Sequence, residues 1–179
     1  MSTADDRLAA LVHAEKTGSR LDFLFFWKES DVDPGCLSQF WPAPFVVDGV
    51  RYPTAEHWMM ASKARLFDDD DALHRILHAG TPATAKATGR KVRGFSEERW
   101  AAARYDVVVA GNLAKFAQND DLGRFLERTR PRVLVEASPL DRVWGIGLAE
   151  DDRRATSPSR WRGLNLLGFA LMEVRDRLL

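Results

Sequence analysis

The chain has 179 residues, 45% of them hydrophobic and 29% charged, and Lys+Arg and Asp+Glu balance at 26 each. That length suits a single domain with one sizeable core, and the balance excludes broad electrostatic attraction to nucleic acid or membrane while leaving room for a local basic pocket. The lone cysteine, Cys36, excludes an internal disulfide and fits a reducing cytoplasm.

The N-terminus is polar and carries Asp5 and Asp6, unlike a signal peptide. The longest apolar runs, such as Val107-Val108-Val109-Ala110, are too short to span a bilayer. Residues 5–16 read as a short, loosely attached helix, and 1–20 as an N-terminal extension to a domain over 21–179. Residues 21–27 are apolar and aromatic and suit a strand. Cys36 follows Gly35 in what reads as a loop. Phe45-Val46-Val47 and Val50-Arg51-Tyr52 flank Asp48-Gly49, a two-residue hairpin signal. Helices are predicted at about 54–67, 69–79, 82–90, 96–117 and 120–129. Thr81-Pro82 reads as a cap followed by first-turn proline, and Ser96 caps a helix whose first turn holds Glu97 and Glu98. Residues 132–136 read as a strand, and Ala149 to Ser159 as an exposed loop. The tail from Asn165 to Leu178 is a helix with its apolar stripe at Leu167, Leu171, Val174 and Leu178. Few strands among many helices make the expected fold α+β, a predominantly helical single domain with a small β-sheet.

The chemistry concentrates in Tyr52-Pro53-Thr54-Ala55-Glu56-His57-Trp58-Met59-Met60-Ala61-Ser62-Lys63. Thr54 can cap a helix with its hydroxyl. Glu56 then lies in the first turn, and Lys63 two turns on along the same face, about 10 Å up the axis. A carboxylate and an amine therefore leave one rigid element in the same direction. Dipole-favoured Glu and solvated Lys give the same spacing without any chemistry.

Other candidates are softer. Asp141 stands three residues before Trp144 in a glycine-containing loop, either as a polar anchor in a pocket or as the cap of a turn. Gly89 permits a left-handed helix cap, and Arg90 beside it offers a fork suited to phosphate. Trp41 and Trp161 suit the core. His74 and His78 are four apart, but no Glu follows His74 and no third ligand is in sight, so neither a metal nor a cofactor is expected. The sequence lacks GxGxxG, Walker A, HExxH, CxxC and GxSxG.

The segment Tyr52 to His57 resembles the YPTAEH motif of the NADAR family, the YbiA-like N-glycosidases. Further elements follow in the family's order: Phe26-Trp27, Leu37-Ser38-Gln39-Phe40, Gly89-Arg90-Lys91-Val92, Lys115-Phe116-Ala117-Gln118-Asn119, Leu134 to Pro139 with Asp141 and Trp144-Gly145-Ile146-Gly147, then Gly163 to Gly168 and Leu171 to Arg175. Gln39 stands where the family usually has Asn, one methylene longer. The resemblance implies Glu56, Lys63 and Asp141 as catalytic residues, and Trp100, Trp144, Arg90, Phe26 and Asn165 as substrate-binding ones.

The reaction implied is cleavage of a bond between ribose and a nitrogenous base, which passes through an oxocarbenium-like sugar. Glu56 can face that cation or orient water. Alternatively, a neutral Lys63 can exchange onto C1 of the opened sugar as a Schiff base. Three functions are open. The first is an N-glycosidase of phosphoribosylated pyrimidine intermediates of riboflavin biosynthesis. The second is removal of ADP-ribose from guanine in nucleic acid. The third is a non-catalytic ADP-ribose or nucleotide binding module. Intact Glu56, Lys63 and Asp141 argue against the third. The neutral charge favours a small-molecule ribosylated base, with no membrane partner and no stable nucleic-acid complex.

Overall fold

The computed structural model describes residues 3–31 and 34–178. Helix α1 (Thr3–Lys16) leads to β1 (Phe23–Phe26), a 3-10 turn at Pro34–Leu37, and the strands β2 (Phe45–Val47) and β3 (Val50–Tyr52). Then come α2 (Ala55–Leu66), α3 (Asp70–Leu77), α4 (Pro82–Gly89), α5 (Glu97–Ala117), α6 (Asp120–Arg128), β4 (Val133–Glu136), a 3-10 turn at Pro158–Arg160 and α7 (Leu166–Arg177). The fold is α+β and mainly helical. Its sheet content is small, as expected, with β1 paired to β4 in parallel and β2 to β3 antiparallel. The chain groups into two compact units, Met1–Ser38 with Arg124–Leu179, and Gln39–Gly123.

In the first unit, β1 and β4 pair with Phe23 opposite Val133 and Phe26 opposite Glu136. Val133, Val135, Ile146, Leu148 and Ala155 form a buried cluster, with Leu11, Phe23, Phe25, Trp161 and Met172 packed on it. A fully buried side chain of this kind is worth about 1.5–3 kcal/mol. Two expectations change here. Helix α1 is held rather than loose: Leu11 packs on the cluster, Arg7 pairs with Asp176 at 3.2 Å, and Glu15 accepts from the Ser157 hydroxyl and the Ser159 N–H. The segment 149–159 is not simply an exposed loop, because Ala155 and Pro158 are buried and the Ala155 carbonyl accepts from the Trp161 indole at 2.8 Å. Apolar burial outweighs the polar composition of that stretch.

In the second unit, the hairpin turns on Asp48 (φ 50°) and Gly49 (φ 76°), the two left-handed positions that Asp-Gly accepts at low cost. The Gln118 amide clamps β2 by accepting from Val46 N–H and donating to Val46 C=O, both at 2.8 Å. Helix α2 packs against α3, α4 and α5. Gly89 is not a left-handed cap. It closes α4 as a buried helical residue, and Arg90, its C-cap, is also helical at φ −69°. The glycine is required by packing, since a Cβ there would overlap the Met60 sulfur. Likewise a Cβ on Gly111 of α5 would overlap the Trp58 ring. Cys36 lies in the first 3-10 turn and is buried.

Candidate active site

Helix α2 starts as its sequence predicts. Thr54 is extended (φ −147°), and its oxygen accepts from the His57 backbone N–H. The same hydroxyl donates to His57 Nδ1 at 2.8 Å, because His57 Nε2 carries its proton to the Ala79 carbonyl at 3.0 Å. Burial holds the His57 pKa below its ordinary value, consistent with this neutral, fully engaged imidazole. His57 is thus a structural clasp between the helix start and the chain after α3.

Glu56, beside it, is only 1% exposed. Its N–H donates to the Gln39 carbonyl at 3.0 Å, which fixes the first turn of α2 onto the preceding segment. The Gln39 amide oxygen accepts from Asn112 Nδ2 at 3.1 Å, and Asn112 also donates to Val108 C=O at 2.9 Å. Gln39, one methylene longer than Asn, makes its side-chain contact on α5. Glu56 therefore sits on an element braced from two sides, and its carboxylate is screened from bulk water.

Lys63 ends up 9% exposed, two turns along α2. Its Nζ lies 4.0 Å from the Phe95 ring centre and 5.8 Å from that of Trp100. Burial pushes the amine below the ordinary lysine range, and Glu97 draws it partly back. Trp100, 7% exposed, presents its ring to this amine from the first turns of α5. Phe95 and Trp100 occupy the N′ and N4 positions around the Ser96 cap, where a hydrophobic staple normally forms. Here a lysine reaches both rings. The Ser96 cap with apolar residues at 95 and 100 is the signal in the sequence that marks Phe95. Arg90 is exposed at the end of α4.

Phe26, Asp141, Trp144 and Asn165 belong to the first unit. Asp141 Oδ1 accepts from the N–H groups of Val143 and Trp144, each at 2.8 Å, so the turn-capping alternative is what this oxygen does. Through it, Asp141 sets the backbone of half-buried Trp144. Asn165, expected to bind substrate, has another job. It is 0% exposed and left-handed (φ 52°), and its amide accepts from Glu136 N–H at 3.0 Å and donates to Leu134 C=O at 2.9 Å. The side chain acts as a one-residue extension of the sheet alongside β4. Phe26 is buried, yet borders a cleft of about 260 Å³ with Trp27, Lys28, Asp31 and Glu150. His78 Nδ1 bonds the His74 carbonyl at 2.8 Å, so this ring nitrogen belongs to a helix end.

The NADAR domain model matches residues 25–179. The chain is 39% identical over 145 residues to N-glycosidase R617 of Acanthamoeba polyphaga mimivirus, covering 78% of this chain and 85% of the relative. It is 33% identical over 153 residues to N-glycosidase YbiA of Escherichia coli (strain K12), covering 86% of each. Its structure matches the NMR structure of the E. coli protein YbiA with a TM-score of 0.72 at 31% identity, over 89% of this chain and 86% of that one. The chain belongs to the NADAR family, and it is a glycosyl hydrolase. Among the described residues no helix is long and apolar enough to cross a membrane.

Proposed function

We propose that the protein hydrolyses the N-glycosidic bond between a ribose phosphate and a small nitrogenous base, with riboflavin-biosynthesis intermediates of the 5-amino-6-ribosylaminouracil phosphate type as first candidate. The observation that carries the chemistry is Lys63: a buried amine beside two aromatic rings, depressed below its ordinary pKa by burial, on the same helix face as buried Glu56. A neutral amine is a nucleophile, and a solvated ammonium is not. The sugar ring opens to an imine, Nζ bonds to C1, and the C1–N bond to the base breaks as the base takes up a proton. One water then cleaves the Lys63 imine and returns the amine and the free sugar phosphate. Glu56 moves the protons in both halves. Direct attack of water on an oxocarbenium ion that faces Glu56 is the competing route.

Trp100 is proposed as an aromatic wall beside the reacting sugar or base, and Arg90 as a phosphate contact. Trp144 and Asp141 stand as proposed substrate contacts on the family pattern, and Phe26 on its place beside a cleft. One observation favours the second reading, removal of ADP-ribose from guanine. Residues 72–96 contain no Asp or Glu and hold Arg75, Lys86, Arg90 and Lys91, besides Arg93, which pairs with Asp69 and Asp71 at 2.8 Å. Arg75 and Lys91 border a cleft of about 290 Å³ with Thr84 and Thr88. Local positive charge of this kind suits a diphosphate-rich substrate.

The test is turnover of both substrate types by the wild-type chain and by Glu56→Gln. The variant should keep its fold and lose about 10²–10⁴ in kcat with a smaller change in KM. Borohydride added during turnover should leave a sugar adduct on the Lys63 peptide. A fully active Glu56→Gln enzyme removes Glu56 from the mechanism, and turnover without an adduct favours direct hydrolysis.

A further inference from the structure

A cleft of about 460 Å³ opens on the other side of α2. At roughly 100° per residue, Trp58, Ser62 and Arg65 fall about 120–180° round the helix from Glu56, whereas Lys63 falls within about 20° of it. These three residues line the cleft with Tyr52, Val107 and, from the hairpin turn, Asp48. The cleft is therefore separate from the Glu56–Lys63 face.

Its aromatic wall is fixed before any ligand arrives. The Tyr52 and Trp58 rings meet edge to face with centres 5.2 Å apart. Arg65 Nη2 donates to the Tyr52 hydroxyl at 2.8 Å, and Trp58 Nε1 donates to Val107 C=O at 2.7 Å. Gly111 supplies the space for the Trp58 ring. Neither Asp48 nor Arg65 joins an ion pair among the described residues. The polar groups are thus an acceptor, Asp48, a multiple donor, Arg65, and a hydroxyl that does both, Ser62.

This combination selects a ligand class. Asp48 and Arg65 are exposed, where water answers them, and a hydrocarbon gains nothing from either. A carboxylate or phosphate meets Asp48 as a like charge, and an ammonium meets Arg65 in the same way. A flat ring with both donor and acceptor edges satisfies all three groups and lays its face on the partly exposed Trp58 indole, since the Tyr52 ring is buried and stacked on Phe45. The volume lies within the range of small-molecule sites, about 300–1,000 Å³. We propose that the cleft lined by Tyr52, Trp58, Ser62, Arg65 and Asp48 binds a planar nitrogen heterocycle of the nucleobase or nucleoside class, at a site distinct from Glu56 and Lys63.

Adenosine is the probe. With ¹⁵N-labelled indoles, the Trp58 N–H signal is identified by its loss in Trp58→Phe. Adenosine should shift that signal saturably in the wild-type chain. Ser62→Tyr, which fills the cleft, and Arg65→Gln, which leaves it open but removes the charged donor, should each weaken binding about tenfold or more. Lys63→Met should bind within about twofold of wild type, since this side chain leaves α2 on the Glu56 face and does not line the cleft. Thermal melts show whether each variant is folded, and Arg65→Gln keeps the test valid if Ser62→Tyr is not. The proposal is overturned by no Trp58 shift up to about 10 mM adenosine, well above the millimolar binding expected of even a weak stacked site. It is equally overturned by binding that survives both cleft variants, or that is lost in Lys63→Met.

Discussion

Lys63 keeps an amine where water scarcely reaches, and burial disfavours its charged form. The unfolded chain protonates this amine at the ordinary value of 10.5, the folded chain at a lower one. Between those two values the unfolded state binds the extra proton, so stability rises with pH across that window. Below it, the cost of burying the ammonium is fully present. Lys63→Met should therefore melt above wild type at neutral pH, and the difference should shrink as pH climbs towards the ordinary lysine value. A gap that stays constant with pH would mean that the amine pays no burial cost. In activity, the same depressed pKa predicts a rate that rises with pH through it and then levels, because the neutral amine is the nucleophile. Lys63→Arg, permanently charged, should be inactive at every pH.

At the scale of elements, single side chains stand in for missing backbone partners. Asn165 closes the open bonds of β4, and Gln118 does the same for β2. Asn165→Ala leaves a buried N–H and a buried C=O in want of partners and should cost about 2 kcal/mol or more. Denaturant titration gives the number. If Asn165 touched substrate instead, KM would change and stability would not. Two glycines separate rigid from flexible neighbours. Gly89→Ala meets the Met60 side chain from its sulfur back to its Cβ, of which the outer part can move, whereas Gly111→Ala meets an indole held by Val107. Alanine gains about 0.5–1 kcal/mol of helix propensity at either site. Gly89→Ala should thus be destabilised less than Gly111→Ala, which should lose about 1–3 kcal/mol through overpacking. Equal melting temperatures for the two variants would refute this reading of the α2–α5 contact.

For the chain as a whole, α1 is part of the first unit's packing although the family match begins at residue 25. Removing residues 1–18 takes away Leu11, the Arg7–Asp176 pair and the Glu15 acceptor together. The shortened chain should melt several degrees lower, since about 1 kcal/mol moves Tm by roughly 2–4 °C at this size. An unchanged melt would return α1 to the status of an appendage. The balanced total charge also conceals a local imbalance, with Arg75, Lys86, Arg90 and Lys91 in a stretch free of acids, while Arg93 there pairs with Asp69 and Asp71. Composition averages over the sequence, and only local order and folding decide which charges share a surface.

Local rules read well from the chain. Period and caps placed every α-helix to within a few residues, and Asp48-Gly49 placed the hairpin, because these signals depend on neighbours a few positions away. The same locality put Glu56 and Lys63 on one face of α2. Burial does not work that way, since it is set by chains that meet across tens of residues. Lys63 became a buried amine only because Phe95 and Trp100 come against it from the loop before α5 and from α5 itself. Gly89 looked like a cap until Met60 occupied the space over it, and Asn165 looked like a ligand contact until β4 took both ends of its amide. Sequence spacing determined which groups could act. Tertiary packing decided which of them are desolvated, which are spent on backbone partners, and where a second aromatic-walled cleft opens on the far face of α2, because dielectric and steric space are properties of the folded chain alone.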